Sequence, residues 1–103
     1  MYTEVITEQP TLVIRRLRLA PGEAMFWHHD TCRRFTVVVQ GSELSIEYAD
    51  NAERSTFPVH AGMVGWDEPE ARVHRAVNSG SQPYEEVVSF YRTDPDIEPQ
   101  PRA

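Results

Sequence analysis

Gly22–Gly41, GEAMFWHHDTCRRFTVVVQG, is the stretch from which the fold is read. It leaves a Pro21-Gly22 turn, rises through Met25-Phe26-Trp27 into His28-His29-Asp30, breaks at Thr31-Cys32 and departs as a β-branched run, FTVVV. Proline suits the second position of a turn and glycine a positive φ, while runs of valine and threonine favour strands. The segment therefore predicts strand, turn, strand. Residues two apart on a strand share a face, so His28 and Asp30 point together and His29 points away.

The same punctuation continues in both directions. Thr11–Leu19 (TLVIRRLRL) is a strand pattern ending at Ala20-Pro21-Gly22, with Ile14, Arg16 and Arg18 on one face and Leu17 and Leu19 on the other. Met25–His28 and Arg34–Gln40 are expected strands, with Thr31–Arg34 turning between them. Downstream, strands are expected over Glu43–Tyr48, Arg54–Val59, Met63–Trp66, Arg72–Val77 and Tyr84–Tyr91. Gly41-Ser42, Asp50-Asn51, Ala61-Gly62, Asp67–Glu70 and Asn78–Ser81 supply the turns and loops. Many short strands without a convincing helix predict an antiparallel all-β sandwich or barrel. Phe35, Val37 and Val39 face one way and Thr36 and Val38 the other, so this strand is apolar on both sides. A strand of that kind is covered on both faces, here by a second copy of the chain, and a homodimer is the expectation.

Three regions follow: an arm over residues 1–11, diluted by Thr and Glu but able to pair as a strand within the chain or with a partner, a domain over 12–92, and a proline-rich tail over 93–103. The tail has no apolar periodicity and is expected on the surface or without order. At 103 residues the chain supports one core. Its net charge of −6 argues against nucleic acid and anionic membranes as partners. No apolar run approaches the roughly twenty residues of a membrane span. The first residues do not read as a secretory signal, so a cytoplasmic protein is the expectation. Cys32 is the only cysteine, which excludes an intrachain disulfide and a multi-cysteine zinc site. The two arginines that follow it, Arg33 and Arg34, would favour a lowered thiol pKa, but no base partner accompanies it, and an inert residue is the reading.

His28 and Asp30 on one strand, with His74 from a distant one, would form a two-histidine, one-carboxylate set. Such a set leaves open positions and suits non-haem Fe(II), or another divalent ion. Any of these side chains has a plainer role: a lone strand histidine is commonly a hydrogen-bonded core residue, and Asp30 also suits the start of a turn. Arg16, Arg18 and Arg33 read as a solvated face. Arg34, if turned inward, offers a fork for a carboxylate or phosphate. Trp66, just before the acidic stretch Asp67-Glu68, is placed to line a cavity mouth.

These residues resemble the two motifs of the cupin superfamily, over about residues 12–92. In the first motif Gly22 is followed after five residues by His28, then Asp30 stands where a second His belongs, Arg34 where a Glu belongs, and Gly41 closes after six more. The second, Pro-x-Gly-x-x-His-x-x-x-Asn, is matched by Pro69, His74 and Asn78, with Ala71 in place of Gly. The resemblance implies an RmlC-like double-stranded β-helix, a jelly-roll barrel, and more loosely a likeness to a protein of β-alanine degradation. In the superfamily three His and one Glu typically hold a metal. Here the guanidinium of Arg34 stands at the carboxylate's place, which is unfavourable beside a cation unless an anion bridges them. His-x-Asp with a distant His also resembles the iron set of 2-oxoglutarate-dependent oxygenases, without an equivalent of their late arginine. Two functions from different classes follow as expectations: a metal-dependent enzyme, oxygenase or isomerase-like, acting on a small organic acid, or a metal-free module binding a small anion. A degenerate barrel kept as an interaction scaffold is the third.

Overall fold

The structure, a computed structural model, describes residues 1–101. Nine strands account for its regular elements: β1 (Tyr2–Gln9), β2 (Leu12–Leu19), β3 (His28–Asp30), β4 (Arg33–Gln40), β5 (Glu43–Tyr48), β6 (Arg54–Pro58), β7 (Val64–Asp67), β8 (Glu70–Val77) and β9 (Tyr84–Tyr91). They form two antiparallel sheets, ordered β1-β2-β9-β4-β7 and β3-β8-β5-β6. Among the described residues no helix is long and apolar enough to cross a membrane.

Alternation decides which side chains enter the space between the sheets. On β2, Val13, Arg15, Leu17 and Leu19 are buried while Arg18 is exposed. Register then aligns Val13 with Phe90, Arg15 with Val88, Leu17 with Glu86 and Leu19 with Tyr84. Phe90, Val88 and Glu86 in turn lie opposite Arg34, Thr36 and Val38 on β4. On β2, β4 and β9 the inner face of the larger sheet is thus apolar except for Arg15, Arg34, Thr36 and Glu86. One core cluster (Leu17, Leu19, Val38, Leu44, Val59, Ala76, Tyr84) joins the two sheets, and a second (Val13, Cys32, Val88, Phe90) fills the other end. Cys32 is buried there as a small apolar side chain.

The chain departs from the sequence expectation in four places. Tyr2–Gln9 is a full eight-residue strand, hydrogen-bonded to β2 of the same chain. Met25–Trp27 is irregular, its flank joined to the ladder of the second sheet only by an Ala24–Val77 bridge, and the strand proper begins at His28. Phe26 and Trp27 stay exposed, so no burial draws that segment into the ladder. The acidic stretch is strand up to Asp67 and again from Glu70, leaving Glu68-Pro69 as the connection. The tail folds back instead of trailing away: Pro99 is fully buried and Ile97 packs on the second cluster. Residues 102 and 103 lie outside the described part.

Turn chemistry locks the ends of the sheets. Asn78 is fully buried and gives its Nδ2 hydrogens to Leu19 O and Gln82 O, while its Oδ1 accepts from the Gly80 amide. Its backbone exchanges hydrogen bonds with Gly22 and Glu23, which ties the two motif regions together. Gly22 has φ +85°, the left-handed region that a side chain disfavours. A Cβ on Gly80 would stand 2.9 Å from the Glu43 amide nitrogen and also against Ser42 Oγ. Backbone at that distance does not step aside readily. Gly80→Ala should therefore destabilise the fold by about 1–3 kcal/mol in urea unfolding, and an unchanged midpoint would contradict this packing.

Candidate functional site

A cavity of about 550 Å³ lies between the sheets. Its apolar end is lined by Met25, Leu44, Ile46, Phe57 and Met63, and its polar end by His28, Asp30, Arg34, His74, Glu86 and Gln100. Asp67, Glu68 and Glu70 stand along the same lining. This division suits a small ligand with a polar head and an apolar body.

The polar end is assembled by register. His28 on β3 is paired with His74 on β8, and His74 with Tyr48 on β5. Their imidazole centroids are 4.8 Å apart. Two residues after His28 the alternation brings Asp30 inward again, 2% exposed, while His29 faces solvent. One ligating atom from each of His28, Asp30 and His74 lies within 4.8 Å of the others. Each histidine gives its Nδ1 hydrogen to a backbone carbonyl two residues earlier, His28 to Phe26 O at 2.7 Å and His74 to Arg72 O at 2.8 Å. That pairing fixes the tautomer of a neutral ring and turns the Nε2 lone pair to the interior, as second-shell carbonyls do for metal-ligating histidines.

Asp30 is crowded by donors. Oδ1 accepts from Gln100 Nε2 at 2.7 Å. Oδ2 is 2.8 Å from His74 Nε2 and 3.0 Å from Arg34 Nη1. These are ion-pair distances without hydrogen-bond angles, so both Asp30 Oδ2 and Arg34 Nη1 are buried with no hydrogen bond. Arg34 also reaches Asp67 at 3.9 Å, and it projects inward from β4, an orientation the sequence left open.

The electrostatics follow from burial and these neighbours. Burial pushes the Asp30 carboxyl up, but His74, Gln100 and Arg34 outweigh it and hold the pKa below the usual value. His28 is lowered, chiefly by burial, against its carbonyl and Asp30. His74 is raised by the Asp30 carboxylate at its Nε2, against burial. Glu86, facing the cavity from β9, is raised by burial despite the Tyr84 hydroxyl that donates to it at 2.6 Å.

The structure thus brings His28, Asp30, His74 and Arg34 together and sets Trp66 apart. Trp66 lies opposite Phe35 on the outer face of the larger sheet, 49% exposed, stacked near Tyr91 and under Arg33. Its predecessor Gly65 and successor Asp67 take the inner face, so strand alternation turns the indole outward. Glu86, Tyr84 and Gln100 were not singled out from sequence. For Glu86 a signal existed, a charged residue at an inward position of the YEEVVSFY alternation; for Gln100, in an aperiodic tail, none did.

No protein-family model matches the chain, and no curated protein matches it. Solved structures do. A cupin domain from Bordetella pertussis Tohama I superposes with a TM-score of 0.78 at 17% identity, covering 89% of this chain and 93% of that one. An RmlC-like cupin family protein with a double-stranded β-helix fold from Methanocaldococcus jannaschii gives 0.72 at 18%, covering 91% and 81%. An uncharacterised conserved protein with a double-stranded β-helix domain from Klebsiella pneumoniae gives 0.70 at 20%, covering 98% and 84%. Similarity at these identities speaks for the fold. With the two facing antiparallel sheets described above, it establishes that the chain has the cupin double-stranded β-helix fold.

Proposed function

We propose that the chain is a metal-dependent enzyme acting on a small organic acid, with His28, Asp30 and His74 holding a divalent first-row ion, Fe(II) in first place. The observation that carries this reading is the convergence of the three buried side chains, one ligating atom of each within 4.8 Å of the others, with Asp30 Oδ2 meeting His74 and Arg34 as ion pairs and without a hydrogen bond. A metal ion at Oδ2 would release Arg34 from that pairing and leave it for an anionic ligand. The donor set of two neutral imidazoles and one carboxylate fits such an ion. When bound, it would supply Lewis-acid polarisation of a substrate oxygen.

The chain's own residues divide the remaining work. Arg34 binds the anionic head, relieved of its hold on Asp30. Met25, Leu44, Ile46, Phe57 and Met63 enclose the apolar body and exclude water from it. Glu86, whose carboxyl burial pushes up, faces the cavity and presents its carboxyl group to a bound ligand. Asp67, Glu68 and Glu70 make the lining acidic, which favours a cation first and an acid only once the cation is in place. In anaerobic titration the protein should take up about one equivalent of Fe(II), and Asp30→Ala should lose that uptake while keeping the wild-type circular dichroism. Full occupancy in that variant would remove the ligand assignment.

The alternative, a metal-free module for a small anion, is favoured by one observation: Asp30 is already neutralised by His74, Gln100 and Arg34. The two readings share a pH signature in chelator-treated protein. His74 has a raised folded pKa, so its stabilisation is complete below about pH 6.5 and is lost as pH rises through the folded value. Asp30 has a lowered one, so its contribution is present above about pH 3.9 and is lost as pH falls through the folded value. His28, lowered by burial, makes stability fall as pH drops below about 6.5, because the unfolded chain takes up the proton first. Urea midpoints against pH should show an alkaline decline that His74→Gln removes. A decline of equal size in that variant would contradict the His74–Asp30 pairing.

We also propose a homodimer through the outer face of the larger sheet. There Val39, Val64, Trp66 and Tyr91 are 42–58% exposed around half-buried Phe35 and Val37. Sedimentation should give a dimer at micromolar concentration, and Val64→Glu a monomer. A monomeric wild-type protein would refute the interface.

A further inference from the structure

The polar end of the cavity is completed by a residue that follows the last strand. Gln100 is 70 positions from Asp30 in sequence, yet its Nε2 donates to Asp30 Oδ1 at 2.7 Å and lies 3.4 Å from His28 Nε2. We propose that Gln100 is the positioning residue of the Asp30 carboxylate, delivered by a C-terminal strap over residues 97–100. The inference rests on the metal reading above and adds to it how the carboxylate is aimed.

The strap is built into the fold. Arg15, 7% exposed on the inner face of β2, donates from Nη1 to the Gln100 carbonyl at 2.9 Å and pairs through Nη2 with Glu98. Thr31, one residue past Asp30, donates to the Glu98 carbonyl at 3.2 Å. Arg92, equally buried, donates to Ile97 O at 3.1 Å and also to Pro10 O and Gln9 O, so the strap and the β1–β2 turn share one anchor. Ile97 packs on the second core cluster, and Pro99 is buried between these contacts. Burying two guanidiniums is costly unless their hydrogen bonds are met, and both direct such bonds at strap carbonyls. A tail that merely lay on the surface would need neither.

The two oxygens of Asp30 are then unlike. Oδ1 is held by Gln100, whereas Oδ2, between His74 and Arg34, has no hydrogen bond. A carboxylate that binds an ion through one oxygen needs its other oxygen held by a donor, and loss of such a donor weakens metal binding about 10–100-fold. Gln100 meets that requirement from outside both sheets. The motif departure at Arg34 leaves the first motif without its glutamate; the tail supplies an amide on the opposite side of Asp30.

The test is competition titration with Co(II), read from its visible absorption, on the wild-type protein, Gln100→Ala and Gln100→Glu. Gln100→Ala should weaken Co(II) about 10–100-fold and alter the band envelope. Gln100→Glu has the same size but no donor toward Asp30, so it should weaken binding at least as much, which a space-filling role would not produce. Wild-type affinity and spectrum in both variants would overturn the proposal. Tighter binding by Gln100→Ala would make the strap a plug, and tighter binding by Gln100→Glu would make the tail a direct ligand; either overturns the positioning role. A separate reading uses chelator-treated protein: the Gln100 side-chain amide hydrogens should exchange slowly by NMR and lose that protection in Asp30→Ala. Fast exchange in the wild type would overturn the contact itself. Protected amides together with no Co(II) uptake would instead sink the metal reading, and with it the role toward an ion.

Discussion

The antiparallel register between β3 and β8 is the constraint on which the rest depends. It sets His28 opposite His74, and the two-residue period of β3 then returns Asp30 to the same interior. A slip of one residue would turn His29 inward and Asp30 out. The register is held from both ends. Asn78 binds Gly22 and Glu23 through its backbone and two carbonyls through its side chain, and the Phe26 and Arg72 carbonyls take the Nδ1 hydrogens of the two histidines.

The polar end of the cavity concentrates charge that the surrounding apolar lining would otherwise disfavour. Three donors around Asp30 hold its carboxyl below the usual range, and the Asp30 carboxylate in turn raises the pKa of His74. Arg34 completes this arrangement while keeping one nitrogen without a hydrogen bond. The site is thus self-neutralised on one side of the carboxylate and open in chemistry on the other. An ion at Asp30 and the two Nε2 atoms would take over the carboxylate from these donors and free Arg34 for an anion, so the two halves of the proposed function require each other.

The fold was legible because it is written in local patterns. Alternation over β2 and β5, with short strands and turn residues along the chain, predicts an all-β fold, and the resemblance of Gly22, His28, Gly41, His74 and Asn78 to the cupin motifs implies the jelly roll. His28, Asp30, His74 and Arg34 were legible for the same reason, since period two assigns their faces once the strands are known. Trp66 was misread because the argument rested on its neighbours Asp67 and Glu68 instead of on its own parity, which places it outside. Gln100, Arg15 and Arg92 were beyond local reading altogether. Their roles arise from a tail that returns across the barrel, and the composition of that tail, proline-rich and aperiodic, carries no record of where it docks.

The central claim is that His28, Asp30 and His74 form one metal centre. Its most direct test is an anomalous difference map at the cobalt edge, from crystals grown with Co(II). The account predicts a peak about 2.0–2.2 Å from His28 Nε2, His74 Nε2 and an Asp30 oxygen, distances typical of first-row ions on such donors. Cobalt bound elsewhere in the crystal, with no peak among these three side chains, would contradict it.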